Sequence, residues 1–340
     1  MIKKYNLQNR RYIGSKHKLL DWIYGNVEEL SEVSSFFDVF AGTGVVAQRF
    51  LGTHKRIILN DFLYSNEVIY QAFFNSNEVD YPRLESLANE LYEQSVASRA
   101  QNYFDKHFGD KFFSKRDARA IGFIRERLHK GLNAGTISEQ EFHVLLASLI
   151  YSADKISNTV GHYDAYIKTG SLSDRFEYNL IQNLDTRSNE VEIFRGDANH
   201  TATQVVADIA FLDPPYNSRQ YSRFYHVLEN LAEWKKPKLF GTALKPEPDN
   251  ISEFSKTSAP KVFADLVDKL DCKYVVVTYN NTFKSKSSSS RNKITLEQIT
   301  AILELKGTTK VLSRSHRFFN SGKTDFDDHR EYLFITKVAK

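Results

Sequence analysis

Residues 36–50 read "FFDVFAGTGVVAQRF", and this stretch decides the fold. A short apolar strand runs into "AGTG" and resumes as "VVAQRFL", which has helical spacing. A glycine-rich turn set directly between strand and helix predicts an open α/β sheet with a ligand at its edge. Gly42 and Gly44 allow a tight turn and a close approach by a ligand. The spacing Gly42-x-Gly44-x-x-Ala47 also fits the loose dinucleotide fingerprint. The next apolar run, "KRIILND" (55–61), is a second buried strand ending in Asp61, placed for ribose hydroxyls. Together these features predict an adenosine-containing ligand at the carboxyl end of the sheet, without saying which one.

Outward from this stretch the chain keeps the same alternation. "LLDWIYGNVEEL" before it has helical spacing. After residue 190, "VEIFRGDA", "DIAFLDPPY", "CKYVVVTYN" and "REYLFITKV" read as strands, and "SRFYHVLENLAEW", "KVFADLVDKL" and "TLEQITAILEL" as helices. Such alternation indicates a mostly parallel, Rossmann-like sheet. Residues 75–189 differ. "YPRLESLANELYEQSVASRAQNYFDKHF", "SKRDARAIGFIRERLHKGL" and "SEQEFHVLLASLIYSADKIS" carry helical periodicity and almost no strand signal. The predicted layout is one discontinuous α/β domain, 1–74 and 190–340, with a mainly helical insertion at 75–189.

Composition narrows the class. The 340 residues are 41% hydrophobic and 26% charged, as in ordinary globular proteins. No run of about 18 apolar residues is present, so no membrane span is expected. The start, "MIKKYNLQNRRYIGSKHKLL", is polar and basic, which argues against export and for the cytoplasm. One cysteine, Cys272, excludes an intrachain disulfide and a Cys-rich zinc cluster. The net charge of +4 is mild, but bases crowd into "KKYNLQNRRYIGSKHK" and "FKSKSSSSRNK", compositions that suit a phosphate backbone.

"DIAFLDPPY" (208–216) separates the possible ligands. An apolar strand closes on Asp213, then Pro214, Pro215 and Tyr216. One reading is a rigid strand-terminating turn. The other is chemical. The N6 lone pair of adenine is delocalised and weakly nucleophilic, so its methylation benefits from acceptors that draw on the amino hydrogens and stabilise developing positive charge. Asp213 supplies a carboxylate, Pro214 a carbonyl held by fixed φ angles at itself and Pro215, and Tyr216 a ring for an unstacked base. A dinucleotide oxidoreductase would explain the glycine turn and Asp61 but leaves this segment without a role.

Four separated motifs carry a resemblance: "RYIGSK" (11–16), "DVFAGTG" (38–44), "LND" (59–61) and "DPPYNSRQY" (213–221). The chain resembles the D12-class, Dam-like alpha group of N6-adenine DNA methyltransferases, and within it the modification enzymes of type IIS restriction systems. The resemblance covers about 1–70 and 190–340 well, and the insertion only loosely. It implies S-adenosylmethionine as cofactor and no metal. Tyr12 and Lys16 are then expected at the amino-acid end of the cofactor, with Asp38, Gly42 and Gly44 lining the turn beneath it. Asp61 is expected on the ribose, Asp197 at the cofactor's adenine amino group, and Asp213 between cofactor and target amine. The insertion is the expected DNA sequence reader. Double-stranded DNA is the expected partner, with a cognate endonuclease as a separate protein and a monomer as the working state.

Arg219, Tyr221 and Arg223, just after the catalytic segment, are candidate DNA contacts, against a plain reading as surface and core residues of a helix. His162 and Asp164 in "VGHYDAY" lack the further ligands a metal needs. "FKSKSSSSRNK" (283–293) and "RSHRFFNSGKTD" (314–325), with Arg317 and Lys323, suit either phosphate contacts or solvated loops. Alternatives are methylation of RNA adenine or a protein amide, for which Asn is usual at the position of Asp213, and cytosine N4 methylation, which typically carries Ser there. A catalytically silent DNA-binding relative is the alternative of a different class.

Overall fold

The computed structural model describes residues 4–75, 79–168, 170–282, 291–315 and 329–339. Its elements are α1 (Leu20–Val27), β1 (Ser35–Asp38), α2 (Val45–Phe50), β2 (Arg56–Asp61), α3 (Tyr64–Phe74), α4 (Tyr81–Ala97), α5 (Tyr103–Phe108), α6 (Lys115–Asn133) and α7 (Glu139–Ile156). There follow β3 (Glu190–Arg195), α8 (Ala198–Thr201), β4 (Val206–Leu212), α9 (Tyr221–Phe224), α10 (His226–Glu233), α11 (Ala259–Lys269), β5 (Asp271–Asn280), α12 (Leu296–Lys306), β6 (Gly307–Ser315) and β7 (Arg330–Val338). Among the described residues no helix is long and apolar enough to cross a membrane.

The chain divides into two compact units. A sheet unit comprises Lys16–Phe62, Ser188–Tyr221 and Asn250–Lys340, and a helical unit comprises Met1–Ser15, Leu63–Arg187 and Ser222–Asp249. These borders differ from the 74/75 and 189/190 boundaries expected from composition. The physical reason lies in α3 and α10, which pack on each other and on α7. α3 buries Val68, Ile69, Tyr70, Phe73 and Phe74 in that packing.

In the sheet unit the strand order is β3-β2-β1-β4-β5-β7-β6. The first five strands are parallel, and β7 runs antiparallel to both β5 and β6. Side chains alternate between faces. Phe36 stacks on Phe50 of α2 at 4.1 Å, while Phe37 joins the opposite cluster with Val39, Leu212, Phe263 and Leu303. Helices covering both faces explain why β4 buries Ile209, Ala210, Phe211 and Leu212 in an unbroken run. The expected α/β class is the observed one.

Three local expectations differ from the structure. β6, "GTTKVLSRS", was not among the expected strands: it is a mostly exposed polar edge paired only with β7, so it carries little hydrophobic alternation. The segment 222–234 reads as one helix but breaks at Tyr225, whose ring is fully buried and whose hydroxyl accepts from the Ile13 N–H at 2.8 Å. The stretch 81–108 holds two helices, because Asn102 leaves the helical conformation to cap α5 through the Phe104 and Asp105 amides. The long α7 starts as its sequence asks, with Ser138 and Glu141 forming a reciprocal capping box.

Candidate active site

Parallel strands share one carboxyl edge, and three of them bring a carboxylate to it. β1 ends in Asp38, β2 ends in Asp61, and β4 runs directly into Asp213. Strand order reverses at β1, flanked by β2 and β4, and such a switch point is where open α/β sheets take their ligands. β3 ends just before Asp197 on the same edge.

The glycine turn is built into this edge. Gly42 (φ 54°) and Gly44 (φ 77°) occupy the left-handed region, where a side chain would strain the backbone. The Gly42 N–H donates to Asp61 Oδ2 at 2.9 Å. The Ala41 N–H donates to the Asn60 carbonyl at 2.9 Å. The Asn60 side chain in turn donates to the carbonyls of Val39 (3.0 Å) and Gly196 (3.3 Å), fastening the ends of β1, β2 and β3 together.

Asp38 is 1% exposed, and among the described residues neither of its carboxylate oxygens has a hydrogen-bond donor. Burial first, and the charge of Asp213 second, hold its pKa well above the usual carboxylate range. The Ala47 amide lies near without reaching hydrogen-bond geometry, and with Lys16 it offsets only part of that rise.

Asp213 is the opposite case, because three donors reach it. Lys16, only 5% exposed, places Nζ 2.7 Å from Oδ2. The Tyr216 hydroxyl and Thr278 Oγ1 (2.9 Å) donate to Oδ1. Lys16 Nζ also lies 5.0 Å from the centre of the Tyr216 ring, within cation–π reach. The Tyr216 ring packs at 4.5 Å against Tyr279, and its carbonyl accepts from the Lys293 N–H at 2.8 Å. Burial and the charge of Asp213 raise the Tyr216 pKa well above the usual range, so its hydroxyl remains a neutral donor. The Asp-Pro-Pro-Tyr segment is thus clamped by β5 and by the residues leading into α12.

The structure therefore brings together Lys16, Asp38, Gly42, Asp61, Asp213 and Tyr216 of the residues singled out from sequence. Asp197 is exposed, and its Oδ1 caps α8 by accepting from the Asn199 (3.0 Å) and His200 (3.2 Å) amides. Arg219 and Tyr221 follow the clamp in the sheet unit. The Arg219 N–H donates to Asn217 Oδ1 at 3.1 Å. Tyr12 and Arg223 fall in the helical unit. There Tyr12 stacks on Tyr225 at 4.9 Å, and the Arg223 guanidinium donates to the Pro246 carbonyl at 2.5 Å. His162 stacks on Phe224, and Asp164 pairs with Lys245. Among the described residues no three His, Cys, Asp or Glu side chains cluster to hold a metal. Residues 283–290, Arg317 and Lys323 lie outside the described residues.

Two members of the cluster have no motif to mark them. Thr278 stands in an apolar β-branched strand, where it reads as a strand former. Glu331, 6% exposed at the start of β7, pairs in register with Asn280. Burial pushes its pKa up to about 7, with Lys16 lowering it and Asp213 raising it. The only sequence signal is an acid at the head of an apolar strand.

Comparison with known proteins shows the family. The family described as D12 class N6 adenine-specific DNA methyltransferases matches residues 12–300. The type II methyltransferase M.FokI of Planomicrobium okeanokoites is 31% identical over 95% of this chain and 52% of its own length. M.NlaIII of Neisseria lactamica is 28% identical over 95% of this chain and 98% of its own. The modification methylase StsI of Streptococcus sanguinis is 31% identical over 80% of this chain and 44% of its own. The chain thus spans about half of the FokI and StsI proteins and nearly all of the NlaIII protein. By sequence match, strand order and the carboxylates at the sheet edge, the chain belongs to the D12 class of N6 adenine-specific DNA methyltransferases.

Proposed function

We propose that this chain transfers a methyl group from S-adenosylmethionine to N6 of an adenine flipped out of double-stranded DNA. In this reading it is the modification arm of a restriction–modification system, working as a monomer beside a separate endonuclease. The observation that carries the reading is the setting of Asp213, held at the switch point of the sheet by Lys16, Tyr216 and Thr278.

The residues fit the cofactor. Asp38 is a buried carboxylate without a donor, and a cationic ammonium would satisfy it. The Gly42–Gly44 turn, with Asp61 fastened to it, suits a nucleoside whose ribose hydroxyls Asp61 would hold. Asp197 would face the adenine amino group while capping α8. Lys16, which pairs with Asp213, would face the cofactor's carboxylate as well. When bound, S-adenosylmethionine supplies a methyl group made electrophilic by a sulfonium.

Asp213 and the Pro214 carbonyl would accept hydrogen bonds from the target amine. As the bond from N6 to the methyl carbon forms, the bond from that carbon to the donor's sulfonium sulfur would break and leave a neutral thioether; positive charge then gathers on the nitrogen, where the carboxylate would stabilise it. The extra proton then leaves N6 toward Asp213 and solvent. Lys16 and the two hydroxyls keep Asp213 aimed throughout, so little reorganisation is needed at the moment of reaction. Arg219 and Tyr221 would hold the strand carrying the extruded base, and residues 75–189 would read the site.

The test uses methyl-labelled S-adenosylmethionine, unmethylated genomic DNA, and wild-type and Asp213→Ala proteins side by side. Label recovered as N6-methyladenine with wild type and lost in the variant is the expected result. No label in DNA, from protein that binds the cofactor, would overturn the assignment.

A further inference from the structure

Along the carboxyl edge of the sheet the acidic residues do not end at Asp213. β7 is antiparallel to its neighbours, so its first residues lie at the edge where β1, β2 and β4 finish. Its second residue is Glu331. In the strand order Glu331 stands on the far side of Asp213 from the glycine turn and Asp61. That side is left for the acceptor base if the cofactor occupies the β1–β2 side, so the inference rests on the function proposed above.

Glu331 is 6% exposed, and its Oε2 is buried with no hydrogen-bond partner among the described residues. Its neighbours from each packed element are Lys16 from the turn before α1, Asp213 and Tyr216 from the loop after β4, and Asn280 from β5. Arg314 of β6 is its register partner on the other flank and is exposed; His329 and Arg330 adjoin it in the chain. A purely structural buried carboxylate would be expected to have both oxygens satisfied. Here one oxygen is not, and the nearby cation is the lysine that also holds Asp213.

We propose that Glu331 is a positioning residue for methyl transfer, drawing on the Lys16 ammonium from the acceptor side so that Asp213 keeps acceptor strength for the target amine. Lys16 pairs with Asp213 at 2.7 Å and is near enough to Glu331 to lower its pKa, and a cation shared between two anions neutralises each less than it would neutralise one. With Glu331 ionised, Asp213 accepts more strongly from N6. With Glu331 neutral, Lys16 shifts toward Asp213 and weakens it as an acceptor. No atom of Glu331 need touch either substrate.

The experiment compares wild type, Glu331→Gln and Glu331→Asp in single-turnover methyl transfer to DNA between about pH 6 and 9. Cofactor affinity is measured in parallel by equilibrium dialysis. Glu331→Gln keeps the shape and the capacity to bond Asn280. Its rate at pH 8 should fall about tenfold while the cofactor Kd changes less than about twofold, a loss confined to the transition state. The rise in wild-type rate as pH passes about 7 should flatten in Glu331→Gln. Glu331→Asp should restore part of both. A second measurement needs no turnover: carbon-13 NMR titration of the carboxyl groups, wild type against Glu331→Gln. The Asp213 resonance should show an inflection near pH 7 that disappears in the variant. Equal rates and pH profiles, or identical Asp213 titrations, would overturn the proposal. If wild type transfers no methyl to DNA, the proposed function fails, and the NMR comparison still decides the role of Glu331.

Discussion

Lys16 and Asp213 form a 2.7 Å ion pair in which the lysine is 5% exposed and the carboxylate 18%, although 197 positions separate them in the chain. Removing the lysine therefore leaves a mostly buried carboxylate with only the two hydroxyl donors. Lys16→Met is expected to lower methyl transfer by about a hundredfold or more, in the range seen when a preorganised electrostatic partner is deleted. Single-turnover assays on saturating DNA would check this. Activity within about threefold of wild type would show that Asp213 is aimed by Tyr216 and Thr278 alone.

If Asp38 meets the cofactor as proposed, binding should depend on pH with a sign set by its burial. Its pKa is held well above the usual range in the free protein, chiefly by burial. A cationic group bound against it favours the ionised form. Binding should therefore release protons, and affinity should rise with pH. Calorimetry in buffers of different ionisation enthalpy measures the protons directly. Asp38→Asn should abolish the release and weaken binding, whereas undiminished release would place the coupled group elsewhere.

Glu331 makes stability fall as pH rises. Its folded-state pKa of about 7 exceeds the ordinary 4.5, so the folded protein holds a proton that the unfolded chain gives up. This contribution is fully present below pH 4.5 and is lost as pH climbs through about 7. The full linkage amounts to roughly 3 kcal/mol at about 1.4 kcal/mol for each pKa unit. Glu331→Gln should thus be more stable than wild type at pH 8 while being slower, which urea unfolding would reveal. A variant that is both slower and less stable would indicate a packing role.

Two glycines in helices should respond in opposite directions to alanine. A Cβ at Gly122 in α6 would run into the Asn102 side chain and the Phe104 Cβ, displacing the residue that caps α5. Gly122→Ala should cost about 1–3 kcal/mol, as overpacking does. A Cβ at Gly25 in α1 meets nothing within 4 Å. Gly25→Ala should stabilise by up to about 1 kcal/mol through helix propensity. Urea denaturation of the two variants against wild type decides both.

Much of the candidate site was readable from local chemistry. Asp61 and Asp213 each end an apolar run, Pro214 marks where β4 must stop, and the Gly42–Gly44 turn follows β1 within a few residues of Asp38. Such signals act over a few residues and need no knowledge of the rest of the chain. Thr278 and Glu331 could not be found that way, because their importance depends on the pairing of β4 with β5 and of Glu331 with Asn280 across β5 and β7. β6 escaped for a related reason: a polar edge strand takes its conformation from its partner. The break at Tyr225 likewise depends on a distant contact, the Ile13 amide.

By itself the sequence determined most of the strands and helices, and with them the acids at the ends of β1, β2 and β4, since strand termination and the glycine turn are settled by backbone sterics within a few residues. Only the tertiary structure decided which donors meet those acids. Asp38 is left without a partner while Asp213 has three, because strand order and register bring Lys16, Thr278 and Tyr216 to one carboxylate and none of them to the other.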